Sequence, residues 1–251
     1  MDAASTERTY QLYMHMTKGH LLKTDATTAE MVKLMENTYR DVNIALANEF
    51  ALLSERLGIN VWEAISFANH HPRVNIPQPG PGVGGHCIAV DPWFLVGAAP
   101  DLMRLVRTAR EINDSMPSHT VEKVKKILVA LDLKDPRVTV LGLTFKANID
   151  DFRESPSILI CDLLEKEGIE VKAYDPWIEH TQVKGQVQTM EEAVSGSDLL
   201  LFLVAHDVFK GIDVNSVAIK MRNKVLLDTK NVIDREMYGK AGFKTHLLGG
   251  I

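Results

Sequence analysis

Residues 138–176 read VTVLGLTFKANIDDFRESPSILICDLLEKEGIEVKAYDP. The aliphatic runs VTVLGL (138–143) and VKAYDP (171–176) bracket SILICDLLEKEG, a stretch with helical patterning that stops at a glycine. A strand, a helix and a second strand in that order form a βαβ unit, which closes only through a parallel pairing. Two more short runs, LLLFLV (199–204) and KVLLDT (224–229), continue the alternation, with TMEEAVSG as another helical spacer. Nearly continuous apolar strands need cover on both faces. The second half of the chain therefore predicts an α/β fold with a doubly wound parallel sheet.

Upstream, the period is helical. TAEMVKLMENTYRDVNIALANEFALLSERLG carries apolar residues at 31, 34, 35, 42, 45, 46, 50, 52, 53 and 57, and stops at Gly58. A second helix is expected across VWEAISFANHH, before Pro72. Pro77, Pro79, Gly80, Pro81, Gly82, Gly84 and Gly85 then form a loop too rich in breakers for helix or strand, which suggests a binding surface. Helical pattern resumes in PDLMRLVRTAREINDSM, and Pro117 is expected to open a separate helix, SHTVEKVKKILVAL, ending at DLKDP. The boundary between the helical and α/β parts falls at about 130–137 on this reading. The first 28 residues show no domain-sized pattern and look like the end of something.

With 251 residues, 45% hydrophobic and 24% charged, the chain has an ordinary globular composition, so disorder, collagen and coiled coil are excluded as overall descriptions. Its length supports two compact units. A formal charge of −5 argues against a dedicated nucleic-acid or membrane-surface binder. The apolar stretch 199–205 is far short of the roughly 20 residues that span a bilayer, and MDAASTERTY lacks a signal-peptide apolar region. A soluble, cytoplasmic protein is the expectation. Cys87 and Cys161 are the only cysteines, too few for a disulfide framework or a metal cluster.

The first α/β turn invites a dinucleotide reading and fails it: VLGLTFKANID has one glycine where G-x-G-x-x-G needs three. Lys146 and Arg153 in that turn could neutralise a diphosphate at the carboxyl ends of the strands, or belong to a solvated turn before a helix that Ser155 caps and Pro156 opens. QPGPGVGGHCIAVDPWF (78–94) is the stronger signal. Its glycines allow close backbone approach to a ligand, and Cys87 directly after them is either a nucleophile in a donor-rich setting or a small buried hydrophobe. Asp91, four residues on, could activate water or orient a lysine. His86 is not expected to pair with its neighbour Cys87, and Cys161 in ILICDLL reads as core. On the long helix Lys33, Asn37 and Arg40 share one face, either as ordinary polar surface or as a stripe that holds an oxyanion.

Three stretches in order, TAEMVKLMENTYRDVNIALANE, VNIPQPGPGVGGHCIAVDPWF and GLTFKANIDDFRESP, resemble the UDP-glucose/GDP-mannose dehydrogenase family. The likeness extends over about residues 5–232. It implies oxidation of the C6 alcohol of a UDP-sugar to a carboxylate in two hydride transfers to NAD, with the aldehyde never released. A UDP-N-acetylated mannosamine is the implied sugar, with UDP-glucose or another UDP-hexose, or a non-catalytic nucleotide-sugar-binding or dimerisation module, as alternatives. By the resemblance Cys87 captures the aldehyde as a thiohemiacetal and later carries a thioester. Lys33 acts on the alcohol proton, Asn37 is its partner one turn on, and Asp91 assists hydrolysis. Arg40, His71, Arg73, Gly84, Lys146 and Lys230 match substrate-binding positions, and Arg153 an NAD-contacting one. No metal is implied. The family forms homodimers through the long helix, with His71 and Arg73 reaching across, and it begins with a full NAD-binding Rossmann domain. Residues 1–28 resemble only the end of that domain, 29–133 the central helical dimerisation domain, and 134–251 a Rossmann-like UDP-sugar-binding domain. The expectation is a chain that presents a UDP-sugar site and does not bind NAD productively by itself.

Overall fold

The structure, a computed structural model, describes residues 2–250. Helix α1 (Ala3–Met14) is capped by the Asp2 carboxylate and buries none of its residues; no strand follows it before α2. Helix α2 (Ala26–Leu57) starts at Asp25, which accepts the Thr28 N–H, and ends at Gly58, whose φ of +69° is the left-handed cap that glycine takes without strain. Helices α3 (Val61–Ala68), α4 (Asp91–Ala98) and α5 (Arg104–Val129) complete the helical half. The sequence reading had no helix at α4, because DPWFLVGA is apolar almost throughout and offers no amphipathic period. Pro92 in its first turn is where a proline fits.

Pro117 does not open a new helix. It lies inside α5, which runs unbroken for 26 residues. The cost is one missing N–H donor for the Asn113 carbonyl. Burial offsets it, because both ends of α5 are packed: Val106 and Ala109 are buried in the helical half, whereas Val121, Val124, Ile127 and Leu128 join the core under the sheet. One helix thus belongs to both halves of the molecule.

Strand β1 (Arg137–Leu141), helix α6 (Pro156–Lys166), strand β2 (Glu170–Tyr174), helix α7 (Met190–Val194) and strand β3 (Leu199–Phe202) follow. Then come a 3-10 turn at Asp207–Gly211, helix α8 (Val214–Lys220), strand β4 (Val225–Asp228), helix α9 (Arg235–Lys240) and strand β5 (Lys244–Leu247). Among the described residues they form a sheet of order β2-β1-β3-β4-β5 in which every pairing is parallel, with Val138 level with Val171 and Leu199. The doubly wound α/β architecture is therefore as expected. The sequence pattern revealed four of these strands and missed β5, an edge strand whose KTHL holds three polar residues and a single apolar one, Leu247. One sheet face packs Val138, Val140 and Leu201 against Ile160 and Leu164 of α6; the other packs Leu141, Leu200 and Phe202 against Phe209, Val217 and Tyr238.

After β5 the chain turns back onto the helical half. Gly249 O accepts the Val61 N–H at 2.8 Å, Leu248 O accepts the Trp62 indole N–H at 2.8 Å, and Leu247 joins Ala51, Val61 and Ile65 in a small core. The Glu55 carboxylate gathers three donors there, Lys123 at 2.5 Å, the Gly249 N–H at 2.8 Å and His119 at 2.9 Å. It thereby ties α2, α5 and the segment after β5 together. Burial pushes this carboxyl up, but the hydrogen bonds from His119, Lys123 and Gly249 outweigh burial and hold it at about 2. A depressed carboxyl stabilises the fold above its ordinary range near 4.5 and loses that contribution as pH falls toward 2. Glu55→Gln should lower stability by about 1–3 kcal/mol at pH 7 and by progressively less between pH 4.5 and 2.5, as read from urea midpoints. A deficit that stays constant through that range would contradict an ionised staple.

Candidate active site

The Pro/Gly loop sits where the helical half meets the carboxyl ends of the strands. Two sets of contacts place it. At its start, the Gly80 N–H donates to Asn48 Oδ1 at 2.9 Å, Asn48 Nδ2 donates to Asn113 Oδ1 at 2.9 Å, and Asn113 Nδ2 donates to Asp41 Oδ1 at 2.8 Å. Arg110, 2% exposed, closes this chain with a hydrogen bond to Asp41 at 2.6 Å and another to Asp114. These buried polar residues on α2 and α5 went unremarked in the sequence. The available signal was a set of polar side chains, Asp41, Asn48, Arg110 and Asn113, on otherwise apolar helix faces.

Farther along, glycine is required by close packing. A Cβ on Gly84 would stand 2.5 Å from the Glu154 carbonyl, 2.7 Å from Pro156 Cδ and 2.9 Å from Phe145 Cβ. Gly85, at φ +86°, would meet the Phe145 ring at 2.9 Å, and Gly82, at φ +139°, would meet Pro156 at 3.0 Å and Pro117 at 3.3 Å. The glycines let the loop press onto the turn after β1, so their close approach is to protein. The letters GPGVGG at 80–85 satisfy the spacing of a dinucleotide fingerprint, yet the segment neither follows a strand nor opens a helix, and Pro156, Phe145 and Pro117 fill the cradle. The turn after β1 contributes Gly142 alone. Among the described residues, the arrangement does not fit NAD.

Beyond the glycines Cys87 is exposed, and its carbonyl accepts the N–H groups of Val90 at 3.0 Å and Asp91 at 2.8 Å. This turn leads directly into α4, whose first residue is Asp91. Asp91 Oδ2 accepts from Asn37 Nδ2 at 2.5 Å, with Asn37 only 3% exposed. The structure therefore brings Asn37, Asp91 and the Cys87 backbone together. It does not bring in Lys33, which is exposed and pairs with Glu36 at 3.3 Å. The stripe on α2 is divided accordingly: Asn37 is buried under α4, while Lys33 and Arg40 stand exposed on either side of it. His71 and Arg73 are exposed in the loop after α3, where the Arg73 N–H donates to His71 Nδ1 at 3.3 Å. Cys161 is fully buried in α6, and burial pushes its thiol far up, as befits a core residue.

The α/β half supplies two lysines and an arginine. Lys146 is exposed in the turn after β1, and Arg153 forms a bidentate pair with Asp151 at 2.7 and 3.0 Å. That pair, with the Arg153 N–H that Asp151 also accepts, holds Asp151 at about 2 and raises the arginine. Lys230 follows β4. Asp228 accepts the N–H groups of Lys230, Val232 and Ile233 at 2.9, 2.7 and 3.0 Å, which shapes the turn that presents it. The Lys230 ammonium reaches Pro79 O at 3.5 Å, and burial pushes it below the usual lysine range against the pull of Asp228. Lys146, Lys230, Thr144, Ser157, Gly82 and Ala205 line a cavity of about 250 Å3 between the loop and the strand ends, the position where doubly wound sheets bind ligands. A desolvated ammonium with one long contact is a site for an anion. No metal-binding group of His, Cys, Asp or Glu occurs among the described residues, and no helix there is long and apolar enough to cross a membrane.

Comparison with known proteins gives two family matches: the central domain of the UDP-glucose/GDP-mannose dehydrogenase family over residues 27–115, and its UDP-binding domain over residues 139–235. A UDP-N-acetyl-D-mannosamine dehydrogenase of Methanocaldococcus jannaschii is 51% identical over 99% of this chain and 58% of its own. An NDP-N-acetyl-D-galactosaminuronic acid dehydrogenase of Ralstonia nicotianae is 45% identical over 92% of this chain and 54% of its own. The solved structure of a UDP-D-ManNAc dehydrogenase from Pyrococcus horikoshii superposes with a TM-score of 0.90 at 40% identity, over 98% of this chain and 58% of that one. The chain thus spans rather more than half the length of the relatives it matches.

The packing of the loop makes a direct prediction. Gly84→Ala forces the Glu154 carbonyl, the Pro156 ring and Phe145 Cβ to give way together or the loop to lift, at a cost of about 1–3 kcal/mol, and it should speed Cys87 modification by an exposed-thiol reagent. Gly97→Ala in α4, with nothing within 4 Å, should not lower the melting temperature, since alanine favours a helix over glycine, and should leave thiol reactivity unchanged. Equal behaviour of the two variants would show that the loop is not held by this contact.

Proposed function

The chain belongs to the UDP-glucose/GDP-mannose dehydrogenase family, and from this premise we propose that it forms the nucleotide-sugar-holding and nucleophile-bearing part of a UDP-N-acetyl-D-mannosamine 6-dehydrogenase. One observation carries the reading: a strand-end cavity with two lysines lies under the same loop that leads to an exposed cysteine and an Asn–Asp pair. Lys146 and Lys230 bind the diphosphate as point charges. Gly84 and its neighbours set the depth of the sugar pocket, while Arg40, His71 and Arg73 contact the nucleotide sugar from the helical half or across a dimer.

In this mechanism the Cys87 sulfur adds to the C6 aldehyde carbon, the carbonyl oxygen takes a proton, and the thiohemiacetal keeps the aldehyde on the protein. Asn37, buried beneath α4, holds the Asp91 carboxylate in place, and Lys33 serves the oxygen that carries developing charge after swinging away from Glu36. Once the carbon stands at the thioester level, Asp91 accepts a proton from the water that releases the acid and the thiol. The proposed oxidant is NAD, which Arg153 would touch on its exposed side. The described residues do not cradle a dinucleotide, so hydride chemistry needs binding surface beyond them.

A homodimer through α2 completes the proposal. Met35, Tyr39, Leu46, Phe50, Leu53 and Leu57 are exposed on that helix at spacings of four, seven, four, three and four residues, a seam of heptad character. The cytoplasm is the proposed location.

Calorimetric titration tests the binding claim. UDP-N-acetyl-D-mannosamine and UDP should bind, UDP-glucose more weakly, and NAD not measurably. Lys230→Ala should weaken UDP by roughly tenfold or more through loss of a charge-assisted contact of 1.5–3 kcal/mol. Absence of UDP-sugar binding, or tight binding of NAD to this chain, would refute the assignment.

A further inference from the structure

The turn that carries Lys146 is clasped at both ends by side chains outside it. At one end the Asp175 carboxylate, just beyond β2, accepts the N–H groups of Leu143 at 2.6 Å and Thr144 at 3.2 Å, and that of Trp177 at 2.9 Å. At the other end His206, just beyond β3, accepts the Asn148 N–H on Nδ1 at 3.0 Å. The two clasps join, because His206 Nε2 lies 3.0 Å from Asp175 Oδ2 and 3.2 Å from Thr144 Oγ1. Asn148, at φ +60°, is further locked to Asp207 by Nδ2 donation at 2.6 Å and acceptance of the Asp207 N–H at 3.1 Å. Lys146 rides between these fixed points, and its carbonyl accepts from Thr144 Oγ1 at 2.9 Å.

The hydrogen bonds assign the imidazole. A backbone N–H pointing at Nδ1 requires a lone pair there, so the neutral ring carries its proton on Nε2. Nε2–H then donates to Asp175 and to the lone pair of Thr144, whose own hydroxyl proton is committed to Lys146 O. Every donor in the set meets an acceptor. Burial pushes the Asp175 carboxyl up, but hydrogen bonds from His206, Leu143 and Trp177 outweigh burial and leave it below the usual range, as befits an ionised acceptor. His206 is wholly buried and Asp175 is 4% exposed, so neither is placed to touch a ligand.

We infer that His206 and Asp175 are positioning residues for nucleotide binding: they hold the 143–148 turn in the one shape that presents Lys146 to the strand-end cavity, through a neutral His206 with its proton on Nε2. The inference rests on the proposed nucleotide site and adds the residues that preorganise it. Rigid presentation matters because a lysine has four rotatable bonds, and a turn not already ordered would have to be ordered on binding at a cost in conformational entropy.

The test compares two replacements of different shape in the full chain. In His206→Asn the short amide can place its oxygen near the Nδ1 position and keep the Asn148 N–H bonded. In His206→Gln the amide reaches the Nε2 position and keeps only the Asp175 contact. UDP affinity by calorimetry should fall roughly tenfold in the Gln variant and stay within about threefold of wild type in the Asn variant. Without ligand, amide exchange at 143–148 should rise in the Gln variant alone, and the wild-type His206 nitrogen spectrum should show a protonated Nε2 and an unprotonated Nδ1. Equal UDP affinity in all three proteins, an Nδ1–H tautomer, or unchanged exchange in the Gln variant would overturn the inference. Failure of wild type to bind UDP would instead overturn the proposed site, and the exchange and tautomer readouts would still decide what holds the turn.

Discussion

The contact on which the rest depends is the press of the Gly82–Gly85 segment against Phe145, Glu154 and Pro156, where no Cβ fits. It is where the Pro/Gly loop of the helical half presses its backbone onto the turn after β1, and it sets where the chain emerges at Cys87. Side chains there would act as spacers and lift Cys87 away from the strand ends. Everything around the contact serves to keep it: Asn48 and Asn113 hold the loop at Gly80, α5 runs through both cores, and Glu55 ties the segment after β5 back to α2 and α5. Such buried polar chains are costly unless every member is bonded, which is why they specify one arrangement rather than several.

The sheet uses one device twice. A buried aspartate follows β2 and another ends β4, and each accepts several backbone N–H groups of a turn that leads to the cavity. Asp175 helps shape the turn that bears Lys146, and Asp228 the turn that bears Lys230. Positive charge is thus delivered to the carboxyl edge of the sheet by carboxylates that never leave the interior. These charges meet a diphosphate in the proposed function, and the helical half contributes Cys87 with the Asn37–Asp91 pair. In the proposed function the division of labour between halves follows the division of the ligand, with the nucleotide on the sheet and the reacting sugar carbon at the loop.

Much of this was legible in the residues. The parallel sheet followed from apolar runs alternating with helical spacers, and the helical half from the period of residues 28–58, because both signals come from burial that repeats along the chain. What failed was local or edge-like. The sequence reading stopped a helix at Pro117, where packing at both ends outweighs one lost hydrogen bond, and it missed β5, whose edge position leaves no continuous apolar run. The glycines were marked as functional for the right chemistry of close approach, but the partner they approach is protein. Among candidate site residues, Asn37 and Asp91 are visible singly in the sequence, and the structure brings them together. Asp175, His206, Asn48 and Asn113 are not visible in this way, since their roles arise from contacts spanning 31 to 72 residues that no spacing rule encodes.

The central claim is that one nucleotide sugar lies across the seam, with its diphosphate on the sheet and its C6 at the loop. A crystal structure of the chain with UDP-N-acetyl-D-mannosamine tests it most directly. The account predicts diphosphate oxygens on Lys146 and Lys230 at the ends of β1 and β4, and the sugar C6 directed at the Cys87 sulfur at roughly 3–4 Å, a near-attack distance. A nucleotide bound elsewhere, or a sugar directed away from Cys87 with the Gly82–Gly85 contact intact, would contradict it.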